Sequence, residues 1–240
     1  GITAGSLALE DQIRLARAMR VVGFAGESES VLRNVRDGAG SGAPDALWEE
    51  RGASALAADE PAQALAIADD WLRVRGATTP AGALALRARA LASLGQTAPA
   101  GETVTRAVPA LDPVAARALR LDVAGRVRTA DPVLAARLVR EALADEHAPA
   151  LADPDAAAAL QLLAETAEAS GDDAGALAAY SSLTARYPAQ PSAAGATYRM
   201  ARLTAGAQGS AAARAAYAEI AHSHDTLERR MGAVIWKISE

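Results

Sequence analysis

The stretch that decides the fold is residues 157–188, which read AAALQLLAETAEASGDDAGALAAYSSLTARYP. Its first half repeats apolar residues three and four positions apart, the spacing of one face of an α-helix, at Leu160, Leu163, Ala164 and Ala167. Residues 170–173 then combine a glycine with short polar residues that favour turns and helix starts. A second helical run follows and ends at a proline. The stretch therefore predicts two helices joined by a tight turn.

Similar breaks divide the rest of the chain at regular intervals. One set predicts turns inside helix pairs, with centres about 33 to 40 residues apart, the period of two-helix repeats, at residues 23–26, 58–61, 95–97, 129–132, 170–173 and 206–210. A second set predicts the connections between pairs, at residues 38–44, 76–80, 112–113, 147–154, 188–191 and 223–225. Together they predict six helix pairs followed by a terminal helix over residues 225–238.

The residue types at these boundaries suit helix ends. Glycine closes a helix well, and it stands at Gly76, Gly95 and Gly171. Proline suits a first helical turn, and it stands at Pro44, Pro80, Pro113, Pro132 and Pro154. Short polar side chains can cap free N–H groups, and we expect this of Asp59, Asp131, Ser170 and Ser210.

Composition favours an all-α fold. Alanine accounts for 66 of the 240 residues, apolar residues make up 51 %, and aromatic residues only 3 %. Small side chains allow close packing of helices, whereas a β-sandwich needs many branched and aromatic residues. We therefore expect a core of helices packed through alanine and leucine.

Charge and residue usage exclude several classes of protein. The net charge is −5, and the 24 basic residues form no basic stripe, so we expect no nucleic-acid partner. Charged residues interrupt every apolar run before membrane-spanning length, so we expect no membrane span. With no cysteine there is no disulfide or zinc–thiolate site. The first residue is glycine, which leads us to expect a processed or excised segment.

No set of residues in the sequence indicates catalysis. His222 and His224 stand two positions apart, a spacing that points their rings away from each other on a helix, so a solvated loop is favoured over a metal site. The glycine-rich residues 38–42 lack the lysine of a phosphate-binding loop. Adjacent acidic pairs such as Asp172 and Asp173 are explained by helix capping and solubility. We therefore expect no enzymatic activity, no metal and no cofactor.

Residues 157–190 resemble a tetratricopeptide repeat. Counted from Ala157, small residues fall at the eighth and twentieth positions, an aromatic residue at the twenty-fourth and proline at the thirty-second, namely Ala164, Ala176, Tyr180 and Pro188. Residues 194–225 and 45–78 match less completely, and residues 80–146 keep only the period, as degenerate repeats or as another α-α packing. The resemblance implies one domain over residues 1–240, a right-handed α-α superhelix of the tetratricopeptide-like solenoid type.

The resemblance also implies a binding surface. In such repeats the first helix of each pair lines a concave groove that meets an extended peptide or a partner helix. Carried over residue by residue, the groove positions are Gln161, Glu165 and Glu168 in one repeat and Tyr198 and Arg202 in the next. Tyr198 is the first candidate for partner binding, because its ring and hydroxyl offer contact area at small entropic cost. The alternative is that Tyr198 packs between pairs as an ordinary buried aromatic residue.

The expected function is a non-catalytic scaffold that binds a protein or peptide partner in this groove. Residues 187–203 are similar to repeats of bacterial outer-membrane assembly lipoproteins and Tol-associated periplasmic proteins. That similarity implies a multiprotein cell-envelope complex, in the periplasm or at the outer membrane. Two alternatives stay open: the solenoid arm of a larger polysaccharide-export or peptidoglycan-processing envelope protein, and a cytoplasmic regulator whose repeats bind a signalling peptide.

Overall fold

The computed structural model describes residues 7–33, 42–208 and residue 218, and this part of the chain contains eleven α-helices and no strand. The helices are α1 (Leu9–Val21), α2 (Ala25–Arg33), α3 (Asp45–Ala57), α4 (Pro61–Arg75), α5 (Ala81–Ser93), α6 (Thr97–Ala107), α7 (Pro113–Val127), α8 (Pro132–Leu143), α9 (Asp153–Ala169), α10 (Asp173–Arg186) and α11 (Pro191–Gln208). A short 3-10 helix, Val108–Ala110, follows α6. The all-α fold class is confirmed.

The predicted turns inside the first five pairs are confirmed, because each separates two consecutive helices. The sixth begins too early, since residues 206–208 still belong to α11. The rest of that turn and the predicted terminal helix over residues 225–238 lie outside the described residues.

Glycine and proline at the helix boundaries behave as predicted. Gly76, Gly95 and Gly171 have φ values of +57°, +72° and +77°, which is the left-handed region where a side chain is disfavoured. Pro113 and Pro132 are first residues of α7 and α8, where the missing N–H removes no hydrogen bond.

Side-chain capping follows the prediction only in part. The Asp131 carboxylate accepts the N–H of Leu134 at 2.9 Å and caps α8, as predicted. Asp59 does not cap α4: it lies in the turn with φ +59°, one residue before the N-cap position. The capping prediction for Ser170 is also wrong, because its hydroxyl donates to the Ala167 carbonyl of α9. Asp172 caps α10 instead. Asp172 stands next to the first helical residue, where its carboxylate can reach the free N–H groups.

The chain divides into two compact units, residues 1–130 and 131–240. In the first unit consecutive helices pack together, and the first helices of the pairs, α1, α3, α5 and α7, also pack side by side. In the second unit α8, α9, α10 and α11 pack in succession, and α9 also packs against α11. The boundary falls between α7 and α8, inside the fourth predicted pair. A single domain over residues 1–240 stays a prediction.

The core of the first unit contains two buried tryptophans, Trp48 on α3 and Trp71 on α4. Trp71 on α4 is fully buried, and its indole N–H donates to Asp45 Oδ1 at 3.0 Å. Gly52 on α3 faces Leu86 on α5 so closely that a Cβ at Gly52 would lie 2.1 Å from Leu86 Cδ2. The missing side chain at Gly52 therefore sets how near α3 and α5 approach.

Polar groups are also buried in the first unit. The hydroxyls of Ser28 and Ser54 lie 2.7 Å apart, and the Ser28 hydroxyl donates to the Ala16 carbonyl at 2.7 Å. Glu29 and Arg51, both almost fully buried, form an ion pair at 3.6 Å. These contacts join α2 to α1 and α3, and the opposite charges of Glu29 and Arg51 lower the cost of burying each of them.

The core of the second unit is built mainly from alanine. The small residues predicted at the eighth and twentieth repeat positions, Ala164 and Ala176, are fully buried on α9 and α10. Tyr180, the predicted aromatic position, is only 1 % exposed and packs with Leu183 in the same cluster. The repeat pattern therefore predicted the packing residues of this pair correctly.

Candidate functional site

The first helices of the first unit form a groove. It has a volume of about 640 Å³ and is lined chiefly by α3, α5 and α7, with Arg20 of α1 and Leu111 at its margins. Its centre is apolar and small, at Ala53, Ala57, Ala85, Leu86, Ala115 and Ala118. A volume of this size lies in the range of about 300–1,000 Å³ that is usual for ligand sites.

Groove residues recur every 33 positions along the chain. One row, called here the first row, consists of Glu49, Gly82 and Ala115; the second row consists of Leu56, Arg89 and Asp122. Each row takes one residue from each of α3, α5 and α7. The second row follows the first by seven residues, about 10 Å along the helices at 1.5 Å per residue. The groove therefore has two distinct ends.

The second-row end carries a net positive charge. Asp122 accepts a hydrogen bond from Arg89 Nε at 2.7 Å and another from Arg126 Nε at 2.8 Å. Arg126 also donates to the Ser93 hydroxyl at 2.7 Å. Two guanidinium groups thus share one carboxylate, which leaves one positive charge in excess.

A comparable cluster lies between α1 and α3. Glu50, whose side chain is 2 % exposed, accepts hydrogen bonds from Arg20 Nε at 2.6 Å and from Arg17 Nε at 3.1 Å. The hydrogen bond from Arg20 to Glu50 is the main cause that raises the pKa of Arg20 above its ordinary value. This guanidinium therefore stays charged at the groove margin.

Glu49, in the first row, has no such partner. Among the described residues, no donor hydrogen-bonds its carboxylate. Partial burial is the largest cause that raises the pKa of Glu49, and the charge of Asp45 adds to it. Its Oε1 lies 2.9 Å from the point where a Cβ of Gly82 would stand, so the carboxyl group leans over α5 where Gly82 leaves space.

The residues predicted from the repeat pattern lie in the second unit and contact one another. Gln161 Nε2 donates to Glu165 Oε1 at 2.9 Å on α9. Glu168, also on α9, forms an ion pair with Arg202 on α11, which brings together residues from the two predicted repeats. Tyr198 is half-buried on α11. A partner-binding role for these five residues stays a prediction.

Two neighbours of Glu168, Tyr180 and Arg199, were not among the predicted site residues. The Tyr180 hydroxyl donates to Glu168 Oε2 at 3.1 Å, and Arg199 Nη1 donates to the same oxygen at 3.0 Å. Burial raises the pKa of Tyr180, which keeps its hydroxyl protonated as a donor. Glu168 is therefore an internal acceptor that holds α9, α10 and α11 together, and its side chain is only 14 % exposed.

The first-unit groove also has a signal in the sequence that the repeat pattern does not use. Ion pairs that join first helices of neighbouring pairs connect residues 30 to 33 positions apart, as Arg20 with Glu50 and Arg89 with Asp122 show. A search for opposite charges at the repeat spacing would have found these clusters. The repeat-motif positions predicted site residues in the second unit only.

The part of the chain that the structure describes contains neither a cluster of metal ligands nor a membrane-spanning helix. Within residues 7–33 and 42–208, no group of three potential ligands could hold a metal ion. No helix described there has the length and apolar character needed to span a bilayer. His222, His224 and the glycine-rich residues 38–41 lie outside the described residues.

Comparison with known proteins shows similarity at the level of structure. No family model matches the chain, and no curated protein matches it. The crystal structure of the APC/C hetero-tetramer Cut9-Hcn1 is similar over 95 % of this chain and 42 % of that chain, with 14 % identity and a TM-score of 0.56. The C-terminal part of a TPR repeat-containing protein from Cytophaga hutchinsonii is similar over 85 % of this chain and 76 % of that chain, with 15 % identity and a TM-score of 0.59.

A third structure, the TPR domain of P58(IPK), is similar over 96 % of this chain and 64 % of that domain, with 13 % identity and a TM-score of 0.40. The chain spans less than half the length of the Cut9-Hcn1 chain that it matches. The first two similarities define the fold: the chain is an all-α, tetratricopeptide-like solenoid protein, as its repeat pattern predicted.

Proposed function

We propose that the chain is a non-catalytic interaction scaffold that binds an extended segment of a partner protein in the first-unit groove. The observation that carries this proposal is the row structure of the groove. Three neighbouring helices present small side chains between two charged ends. Helix repeats can keep such a surface at little cost, since each pair buries its core against its neighbours.

The chemistry of the groove lining supports recognition. Its described lining consists of alanine, glycine, leucine and charged side chains, without histidine, serine or threonine. Of its two carboxylates, Asp122 is held by two arginines, and Glu49 accepts no hydrogen bond from the residues that the structure describes. Small apolar contacts with charged margins suit a peptide backbone and its side chains.

The experiment that tests the proposal blocks the groove. Ala118 is exposed on α7 and lines the groove, whereas Ala66 is exposed on α4 outside it. Among the peptides that the wild-type chain selects from a random library, Ala118→Trp should abolish binding of those that occupy the groove, and the matched Ala66→Trp should leave all of them bound. If every selected peptide binds the Ala118→Trp protein as tightly as wild type, the proposal is overturned.

The second unit is tested in the same selection. A Tyr198→Ala, Arg202→Ala double variant removes two predicted groove residues from α11. If the α9–α11 surface also binds partners, this variant loses a set of peptides that Ala118→Trp retains. If the double variant retains every peptide that the wild-type chain binds, the repeat-derived site prediction is wrong.

We further propose a cell-envelope setting, supported only by the similarity of residues 187–203 to envelope repeats. Fractionation of the native host with an antibody to the chain tests it. Recovery in the periplasm or with the outer membrane supports an envelope scaffold, and the size of the recovered protein separates a short scaffold from the arm of a larger machine. Recovery in the cytoplasm would favour the regulator.

A further inference from the structure

We infer that the first-unit groove selects a partner segment with opposite charges at its two ends: a basic side chain that pairs with Glu49, small apolar residues over the alanine floor, and an acidic side chain that joins Arg89 and Arg126. The inference rests on the proposed function, because it specifies which peptides the groove accepts. The two rows carry the charges that define this preference.

The basic end of the segment follows from Glu49. This carboxylate lines the groove without a hydrogen-bond donor among the described residues. Asp45 and Glu50, both close in sequence, disfavour its ionisation further, and only Arg17 favours it. An added guanidinium or ammonium group would supply the missing donor and relieve the repulsion.

The acidic end follows from the Arg89, Arg126 and Asp122 cluster. One carboxylate cannot neutralise two guanidinium groups, and each guanidinium carries further N–H donors beyond those bound to Asp122. Arg126 is about one-third exposed, so its free donors are accessible from the groove. A carboxylate from a partner would balance the cluster and accept these N–H groups.

The floor between these ends limits the middle of the segment. Ala53, Ala85 and Ala118 offer shallow apolar contacts, and Leu86 adds one larger side chain. Small residues such as alanine can follow this floor closely, whereas long side chains would have to turn outward. From Glu49 on α3 to Arg89 on α5, the distance is about 10 Å along the helices and about 10 Å across one helix-to-helix spacing. Arg126 on α7 joins the same acidic-end site because it shares Asp122 with Arg89.

These two components combine to about 14 Å, which an extended chain covers in about four residues at 3.3 Å per residue. The favoured segment thus carries its basic and acidic residues about four positions apart. A segment with two acidic ends would place a carboxylate against Glu49, and one with two basic ends would meet the positive cluster. The groove therefore rejects both by repulsion.

Three fluorescent peptide probes test this selectivity. Each has two charged residues separated by alanine and leucine at the spacing above: the mixed probe has arginine and glutamate, the acidic probe has two glutamates, and the basic probe has two arginines. We expect the full chain to bind the mixed probe at least about fivefold more tightly than either other probe, the effect of one exposed ion pair gained and one repulsion avoided.

Substitutions in the protein test which side chains bind the two charged ends of the mixed probe. Glu49→Gln and Arg126→Gln should each weaken the mixed probe about fivefold, while Arg89 still pairs with Asp122 in the second variant. Glu102→Gln on α6 and Arg128→Gln after α7 are matched charge controls outside the groove lining, and they should change nothing. Glu49→Arg should reverse the preference in favour of the acidic probe.

The outcomes separate the two proposals. If Ala118→Trp blocks library-selected peptides but the mixed probe shows no preference, or Glu49→Gln and Arg126→Gln leave its affinity unchanged, this inference is wrong and the proposed function stands. Preference for the acidic or basic probe also overturns it. If Ala118→Trp leaves the binding of the selected peptides intact, the proposed function itself fails.

Discussion

Replacing Gly52 with alanine tests the close approach of α3 and α5. The new Cβ would lie 2.1 Å from Leu86 Cδ2 and 2.9 Å from Leu86 Cγ. Rotating the end of the leucine cannot relieve the contact with Cγ, so the whole side chain must swing or α5 must shift. Overpacking of this kind lowers the free energy of unfolding by about 1–3 kcal/mol. The better helix propensity of alanine offsets about 1 kcal/mol of this loss.

Gly125→Ala on α7 is the matched control, because nothing lies within 4 Å of the added Cβ there. Both substitutions gain the same propensity, so the free energy of unfolding of Gly52→Ala should be about 2 kcal/mol lower than that of Gly125→Ala. Urea denaturation followed by circular dichroism measures this difference.

A double-mutant cycle with Leu86→Ala identifies the cause. When the leucine is shortened, Gly52→Ala should no longer lower stability, because the atoms it would strike are gone. If Gly52→Ala is as stable as Gly125→Ala, or if its cost is equal with leucine and with alanine at position 86, the reasoning about this contact is refuted.

Three further predictions concern charged residues. Glu168→Gln should lower the free energy of unfolding by about 1–2 kcal/mol, because Glu168 accepts from three donors. Arg202→Gln should lower it by less, because Arg202 is half-exposed. Equal losses of unfolding free energy for the two variants would contradict this prediction. Asp172→Ala should cost about 1 kcal/mol as a lost helix cap, and Asp173→Ala clearly less; melting curves that shift equally would contradict it. The pKa of Glu49 is raised in the folded state, so the folded protein holds the Glu49 proton more tightly than the unfolded chain does. Glu49→Gln should therefore raise the free energy of unfolding at pH 7, and this gain should vanish as the pH falls below the ordinary pKa of a glutamate side chain. A gain that grows on acidification would contradict this prediction.

The sequence predicted the helices well because their ends depend on local chemistry. Gly76, Gly95 and Gly171 adopt a backbone conformation that other residues avoid, so their positions alone locate helix ends. Capping was harder to predict. Ser170 and Asp172 lie in the same turn, and which one caps depends on where the first helical residue falls, a matter of one or two positions.

The candidate site was less predictable, because charge pairing depends on which residues face each other across neighbouring helices. Repeat positions placed Glu168 and Arg202 on a binding face, but they could not show that the two side chains pair. The first-unit groove was missed because residues 80–146 keep the repeat period without its signature. Only the spacing of Arg89 and Asp122 indicates their contact.

The measurement that tests the central claim most directly is the change in backbone amide chemical shifts when the mixed probe is added to the isotope-labelled chain. The largest changes should map to α3, α5 and α7, around the first and second rows, and the Ala118→Trp protein should lose them. Changes centred on helices outside the groove, or changes that persist in Ala118→Trp, would contradict the assignment of this groove as the partner-binding surface.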